Sequence, residues 1–191
     1  MKTKQISQGE MQRRVARFKQ LEPLPATESL TMPQAAKDVI YSRKLLSVIG
    51  LEDATTPINQ RAPITGAAGI TMTHAVCPPG TGPTLHAHRN TYETFTVLRG
   101  RFELFWNDDG GERVELDEFD TISVPPGVCR GFRNIGDEEG VLQVIISGGV
   151  HDMNDIDFPP TVAEELSSYG DGVVDQFEAR GITFTAGTSA S

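Results

Sequence analysis

From about Val39 to Gly149 the chain runs in short stretches rich in Val, Ile, Thr and Phe, punctuated by clusters of Gly, Pro and Asp. No helical period intervenes, so this stretch has to fold from many short strands joined by turns. "TYETFTVL" and "RFELFW" are strand-like and separated only by Gly100 and its neighbour Arg99. "NDDGGE", Asn107 to Glu112, reads as the turn of a hairpin, and "DTISV", "CRGFRN" and "VLQVIIS" continue the series. "GITMTHAV" alternates, with Ile70, Met72, His74 and Val76 on one face and Thr71, Thr73 and Ala75 on the other. The face that carries His74 is expected to look inward. The pattern predicts an all-β sandwich, jelly roll or barrel.

The flanks differ. Ser7 and Glu10 are spaced as a capping box, and Met11, Val15, Phe18 and Leu21 follow at helical spacing, predicting a helix from about Gln8 to Gln20. "EPLPATESLTMP" reads as a linker. After the strands, "FPPTVAEELSSYG" predicts a helix near Thr161 to Ser168, "DGVVDQFEARG" a second one ending at Gly181, and "ITFT" a last strand. The expected organisation is residues 1–60 as an N-terminal helical arm and first strand, 61–150 as the barrel, and 151–191 as a C-terminal helical tail.

A chain of 191 residues can bury a core without disulfide staples, and Cys77 and Cys129 read as small core-filling residues. A formal net charge of −9 argues against a nucleic-acid or anionic-membrane surface. There is no apolar run of membrane-spanning length and no signal-peptide core in "MKTKQISQGEMQRR", so a cytoplasmic setting is expected. Exposed sheet edges and the N-terminal arm offer surfaces on which a homodimer could pair. No nucleophile elbow, phosphate loop or dinucleotide fingerprint occurs.

The chemistry concentrates in "PGTGPTLHAHRNTYETFTVLRG", Pro79 to Gly100. His86 and His88 lie two apart on an extended segment and project together, with Leu85 and Ala87 on the other side. Glu93 shares its face with Phe95 and Val97, so its carboxylate points into an apolar interior, where it needs a partner. Two imidazoles and a carboxylate converging on one interior make a mixed N/O transition-metal site.

Gly80, His86, His88, Glu93 and Gly100 stand as G-x5-H-x-H-x4-E-x6-G. This resembles the first motif of the cupin family. "FDTISVPPGVCRGFRN" is similar to the second, G-x5-P-x-G-x2-H-x3-N, with Pro125, Gly127 and Asn134 in place. Phe119 stands where the first glycine is expected, and Arg130 where the family's fourth metal-binding histidine is expected. The resemblance spans roughly Gly66 to Gly149. It implies a cupin-like antiparallel jelly-roll β-barrel with its site in the mouth, flanked by short helical extensions. The fold does not select an activity, because cupins include dioxygenases, isomerases, decarboxylases, hydrolases and binding proteins.

Guanidinium has no lone pair, so Arg130 cannot be a ligand. Three readings follow. In the first, His86, His88 and Glu93 hold one divalent transition metal (Fe, Mn, Ni or Zn), and Arg130 clamps a small anionic substrate. In the second, His74 or His151 completes the site as a fourth ligand, with His74 alternatively a supporting residue. In the third, the metal is absent, Arg130 pairs with Glu93, and the protein is a small-molecule binder or metal-free catalyst. The first is favoured, because three intact ligands would otherwise have no reason to converge. A dioxygenase-like oxidoreductase is its leading class, and a non-redox isomerase or decarboxylase its alternative.

Overall fold

Residues 70–147 alternate between buried and accessible positions along most strands, and that alternation closes two sheets around one interior. The computed structural model describes every residue except 2, 4, 26–27, 52–60, 67–68, 149–154 and 189–191. His151 therefore lies outside the described residues. The strands are β1 (Lys44–Gly50), β2 (Ile64–Thr65), β3 (Ile70–Cys77), β4 (Ala87–His88), β5 (Tyr92–Arg99), β6 (Phe102–Trp106), β7 (Glu112–Leu116), β8 (Thr121–Val124), β9 (Arg130–Asn134), β10 (Gly140–Ser147) and β11 (Ile156–Asp157). They form a six-stranded sheet in the order β2-β1-β3-β10-β5-β8, a three-stranded sheet β7-β6-β9 and a two-stranded sheet β11-β4. All described pairings between these strands are antiparallel except that of β1 with β2. This is the expected all-β jelly-roll barrel.

The main core lies between the sheets. Phe95, Val97 and Leu142 from the larger sheet meet Phe102, Leu104 and Phe132 from the smaller, with Phe132 edge-on to Phe95 at 5.4 Å between centroids. On β5 the alternation is as expected: Glu93, Phe95 and Val97 are buried while Thr94 and Thr96 face out and bond Ser123 and Thr121 on β8. "NDDGGE" joins β6 to β7, with Asn107 and Gly110 both at positive φ. Phe119 also adopts the left-handed region (φ 73) and is largely exposed, so the missing motif glycine leaves a bulky residue in a strained conformation.

On β3 the expected faces are reversed. Thr71, Thr73, Ala75 and Cys77 are buried towards the barrel, whereas Ile70, Met72 and His74 are only half-buried. The outer face of this sheet is not bare. Val76 packs there with Leu46, Val141 and Leu21, and the ring of Phe18 lies 5.5 Å from that of His74. Small side chains line the interior because a cavity has to be left beside them.

The helices are α1 (Gln8–Gln12), α2 (Gln34–Ile40), α3 (Pro160–Ser167) and α4 (Val173–Glu178). The capping box of α1 is present, but the helix ends well short of Gln20. Met11, Val15 and Phe18 remain about half exposed, and a helix whose apolar face finds no core is not extended by packing. Helix α2 was not expected from the sequence; it buries Ala36, Val39 and Ile40. In place of the expected last strand, Thr183 makes a single bridge to Asp157.

Both flanks meet in a second core. Leu30, Val39 and Ile40 from the N-terminal side pack with Phe158, Leu166, Phe177 and Ile182 from the C-terminal side. β1, placed by sequence with the N-terminal arm, is an inner strand of the six-stranded sheet. The extensions are thus one cap on one barrel.

Asp157 fastens this cap. It is 2% exposed. It accepts from Arg89 Nη2 (2.7 Å), Thr183 Oγ1 (2.8 Å), and the amide and hydroxyl of Thr185 (2.9 and 2.7 Å). Burial alone would raise its pKa, but the Thr185, Thr183 and Arg89 donors outweigh burial and lower it. A lowered carboxylate contributes stability above its ordinary pKa near ~4 and loses it as pH falls below that value. Urea midpoints are therefore expected to fall from about pH 5 to about pH 3. Asp157→Asn should be less stable at pH 7 and show a shallower acid slope; an unchanged slope would remove Asp157 from this role.

Candidate metal centre

The segment carrying the two histidines is held from both sides. His86 exchanges backbone hydrogen bonds with Arg130 (2.9 Å each way), and His88 pairs in register with Ile156 of β11. The extended geometry sends both imidazoles to the interior, with ring centroids 5.7 Å apart. Ala87 turns the other way, into a small cluster with Cys129, Ala186 and Leu85. Glu93 reaches the same place from β5. One ligand atom from each of His86, His88 and Glu93 lies within 4.8 Å of the others, and all three residues are buried. Glu93 Oε2 is 3.6 Å from His86 Nε2 and 3.7 Å from His88 Nε2.

Hydrogen bonding fixes the tautomers. His86 Nδ1 lies 2.8 Å from the Thr84 carbonyl, which can only accept, so Nδ1 carries the proton. His88 Nδ1 lies 2.9 Å from Asp155 Oδ2 and 3.0 Å from the Thr91 hydroxyl. Burial would raise the pKa of Asp155, but hydrogen bonds from His88, the Thr91 hydroxyl and the Asn90 amide hold it at about 2. It is an ionised acceptor, and His88 Nδ1 is a donor too. Burial, with Arg130 close by, lowers the pKa of His86 and keeps it neutral. Both Nε2 atoms turn towards the Glu93 carboxylate. Two imidazole nitrogens and a carboxylate converging on one point are what a cation can bridge, and a carboxylate or carbonyl behind each imidazole is the support that metal-ligating histidines use. The donor set fits a divalent transition metal.

Arg130 is 1% exposed. Its Nε and Nη2 both reach Glu93 Oε2, at 2.9 and 2.6 Å, and Nη1 bonds the His86 carbonyl at 3.1 Å. Burial would raise the pKa of Glu93, but the Arg130 guanidinium beside it overcomes burial and holds the carboxyl far below the usual range. Arg130 is not among the residues that line the cavity next to the triad, and its Nε, Nη1 and Nη2 each bond a protein acceptor. Arg130, expected to clamp substrate, here bonds Glu93 instead. The ion pair of the third reading is present, and it leaves Glu93 Oε1 without a hydrogen bond from the described residues.

His74 is not brought to the site. It sits beneath Phe18 on the outer face of β3, with Nδ1 buried and unpartnered among the described residues. His74, expected as a fourth ligand or supporting residue, is thus not among the residues that converge at the triad. Cys77 and Cys129 are free and buried, and burial pushes their thiols up to about 12 and about 11.

The triad opens into a cavity of about 430 Å³. Thr73, Ala75, Val144, Ile146 and Phe132 form its barrel side, while Leu24, Ile40, Tyr41, Phe158, Arg180 and Ile182 come from the cap. Sequence reasoning missed Asp155, Tyr41 and Arg180. Asp155 is 67 positions from His88 and has no motif around it.

Fold and site together define a β-barrel protein with a His-His-Glu cluster in a capped interior. Residues 73–146 match the model of the cupin domain family. That match covers somewhat less than half of the chain. None of the curated proteins matches the chain in sequence. Among solved structures it is similar to a conserved protein with a double-stranded β-helix domain from Klebsiella pneumoniae, at 23% identity, covering 42% of this chain and 69% of that one, with a TM-score of 0.39. KdgF from Halomonas sp. is similar at 18% identity, covering 44% and 75%, with a TM-score of 0.40. A structure of the DMSP lyases RdDddP and RnDddQII is similar at 16% identity, covering 59% and 50%, with a TM-score of 0.46. Among the described residues no helix is long and apolar enough to cross a membrane.

Proposed function

We propose that this cupin is a metal-dependent enzyme acting on a small anionic organic molecule held in the capped cavity. His86 Nε2, His88 Nε2 and Glu93 would hold one divalent transition metal, which when bound supplies Lewis-acid or oxygen-activating chemistry. The observation that carries this reading is the buried convergence of two imidazole Nε2 atoms and a carboxylate, with each imidazole held from behind at Nδ1. The chain's own residues do the rest. Thr84 and Asp155 orient the imidazoles, Arg130 keeps Glu93 ionised, and the apolar walls exclude water around the reacting molecule. The oxygenase class expected from sequence is one use of a three-ligand site, and non-redox lyase or isomerase chemistry is the other.

A metal-free binder is the second reading, favoured by the two Arg130 donors on Glu93. Titration of chelator-stripped protein with Fe(II), Mn(II), Ni(II) and Zn(II) separates the two. Uptake of one ion per chain supports the enzyme reading; no uptake of any of the four would leave the binder. With a turned-over substrate in hand, loss of activity under nitrogen would assign the oxygenase class.

A further inference from the structure

Arg180 is the one cavity-lining residue whose charge the site above does not use. It follows α4, is half-buried, and lines the same cavity as His86, His88 and Glu93. Its Nη1 donates to the Gln176 carbonyl at 2.9 Å and its Nη2 to Ser29 Oγ. A guanidinium has five N–H donors, and those two bonds leave the others without a partner among the described residues. No carboxylate among the described residues forms an ion pair with it. Glu93, the acid of this cavity, is already neutralised by Arg130.

A cap on a helix end needs one N–H, and lysine or arginine would serve equally. Helix capping therefore explains the bond to Gln176 but not a guanidinium laid along a cavity wall. The bond to Ser29 crosses from the C-terminal to the N-terminal flank. Beside it, Gln176 Oε1 accepts from the Thr31 amide at 2.9 Å, so the arginine is held on a fixed frame. Tyr41, which feels the Arg180 charge, lines the same cavity, and its ring lies 6.2 Å from that of Phe177 between centroids. Burial raises the Tyr41 pKa, so the hydroxyl stays a donor. Much of the remaining wall is apolar, with Leu24, Ile40, Leu45, Val144, Ile146 and Phe158 among its residues.

From this arrangement we infer that Arg180 is the anion-recognition residue of the cavity, selecting a small monocarboxylate with an apolar body. The carboxylate takes the free guanidinium donors, assisted by the Tyr41 hydroxyl, and the body fills the apolar space beside the triad. A half-buried cation without a counterion is costly, and a carboxylate with paired donors relieves that cost in a geometry an arginine favours. This inference names the substrate class for the reaction proposed above and rests on that reading for where the reaction occurs. Binding at Arg180 is separable from the metal.

The test is calorimetric titration of the full chain, metal-stripped and metal-loaded, with butanoate, hexanoate and octanoate, each beside its own primary amide. In stripped wild-type protein the acids are expected to bind about tenfold or more tightly than the amides, the worth of a charge-assisted hydrogen bond over a neutral one. Arg180→Gln should bring acid and amide within about twofold of each other, and Arg180→Lys should restore part of the preference. Far-ultraviolet circular dichroism and the melting temperature check that the variants fold, and the acid–amide comparison in wild-type protein needs no variant. Equal binding of acid and amide in stripped wild type, or no binding of either, would overturn the inference. A preference seen only after metal loading would also overturn it, while leaving the metal reading intact. A preference in stripped protein that takes up no metal would support Arg180 and sink the metal reading.

Discussion

Replacing Arg130 with methionine is expected to cost the metal-free protein roughly 3–5 kcal/mol, because it strands the buried Glu93 carboxylate without its counterion. For a chain of this size that corresponds to a fall in melting temperature on the order of 10 °C. The mechanism is specific. Glu93 is buried, and both its ion-pair donors come from this one guanidinium. Arg130→Lys should fall between, because lysine keeps the charge but loses the paired donors. The double variant Arg130→Met, Glu93→Leu should recover much of the loss, because an apolar pair of similar volume replaces a buried ion pair at little cost.

Metal reverses the comparison. A guanidinium beside the triad repels a divalent cation, so its removal is expected to tighten metal binding even as it weakens the fold. Ion at about one hundred times its dissociation constant adds about 2.7 kcal/mol of stability. The rise in melting temperature on adding Zn(II) should therefore be larger in Arg130→Met than in wild type. The same destabilisation with no rise for either protein would show that the ion pair has replaced the metal altogether.

His88→Ala is the second large effect. It removes one of three ligands and strands Asp155, which is 2% exposed and accepts from His88 Nδ1. Wild-type protein analysed for metals after reconstitution is expected to hold close to one ion per chain, and His88→Ala essentially none. Asp155→Asn keeps all three ligands and loses only the support behind one of them. It should retain metal with an affinity about 10–100-fold weaker. Equal metal content in all three proteins would place the ion elsewhere.

Much of this site was legible in the linear chain, and for local reasons. Residues two apart on an extended segment share a face, so His86 and His88 had to project together whatever the barrel did around them. Glu93 followed from the same rule, through its alternation with Phe95 and Val97. The hairpin at Asn107 to Glu112 and the proline-led helix α3 were legible for the same local reasons.

What failed was whatever depended on the other side of a surface. The faces of β3 were read the wrong way round, because alternation says which residues share a face and not which face has a cavity beside it. His74 was misplaced with them. Helix α1 stopped short because its apolar stripe has nothing to pack on, a fact absent from its own spacing. Arg130 could be refused as a ligand from its chemistry alone, but only the fold shows that it bonds Glu93.

By itself the sequence determined the strand-rich barrel, the identity of three converging acceptors, and the impossibility of a fourth at Arg130. Those depend on side-chain chemistry and on the two-residue period of extended backbone. Only the tertiary structure decided that Asp155 stands behind His88, that the two flanks share one core, and that Arg180 lies in the cavity wall. These are contacts between residues from 67 to 151 positions apart in chain order, brought together by burial of apolar surface that carries no mark of its destination in the local pattern.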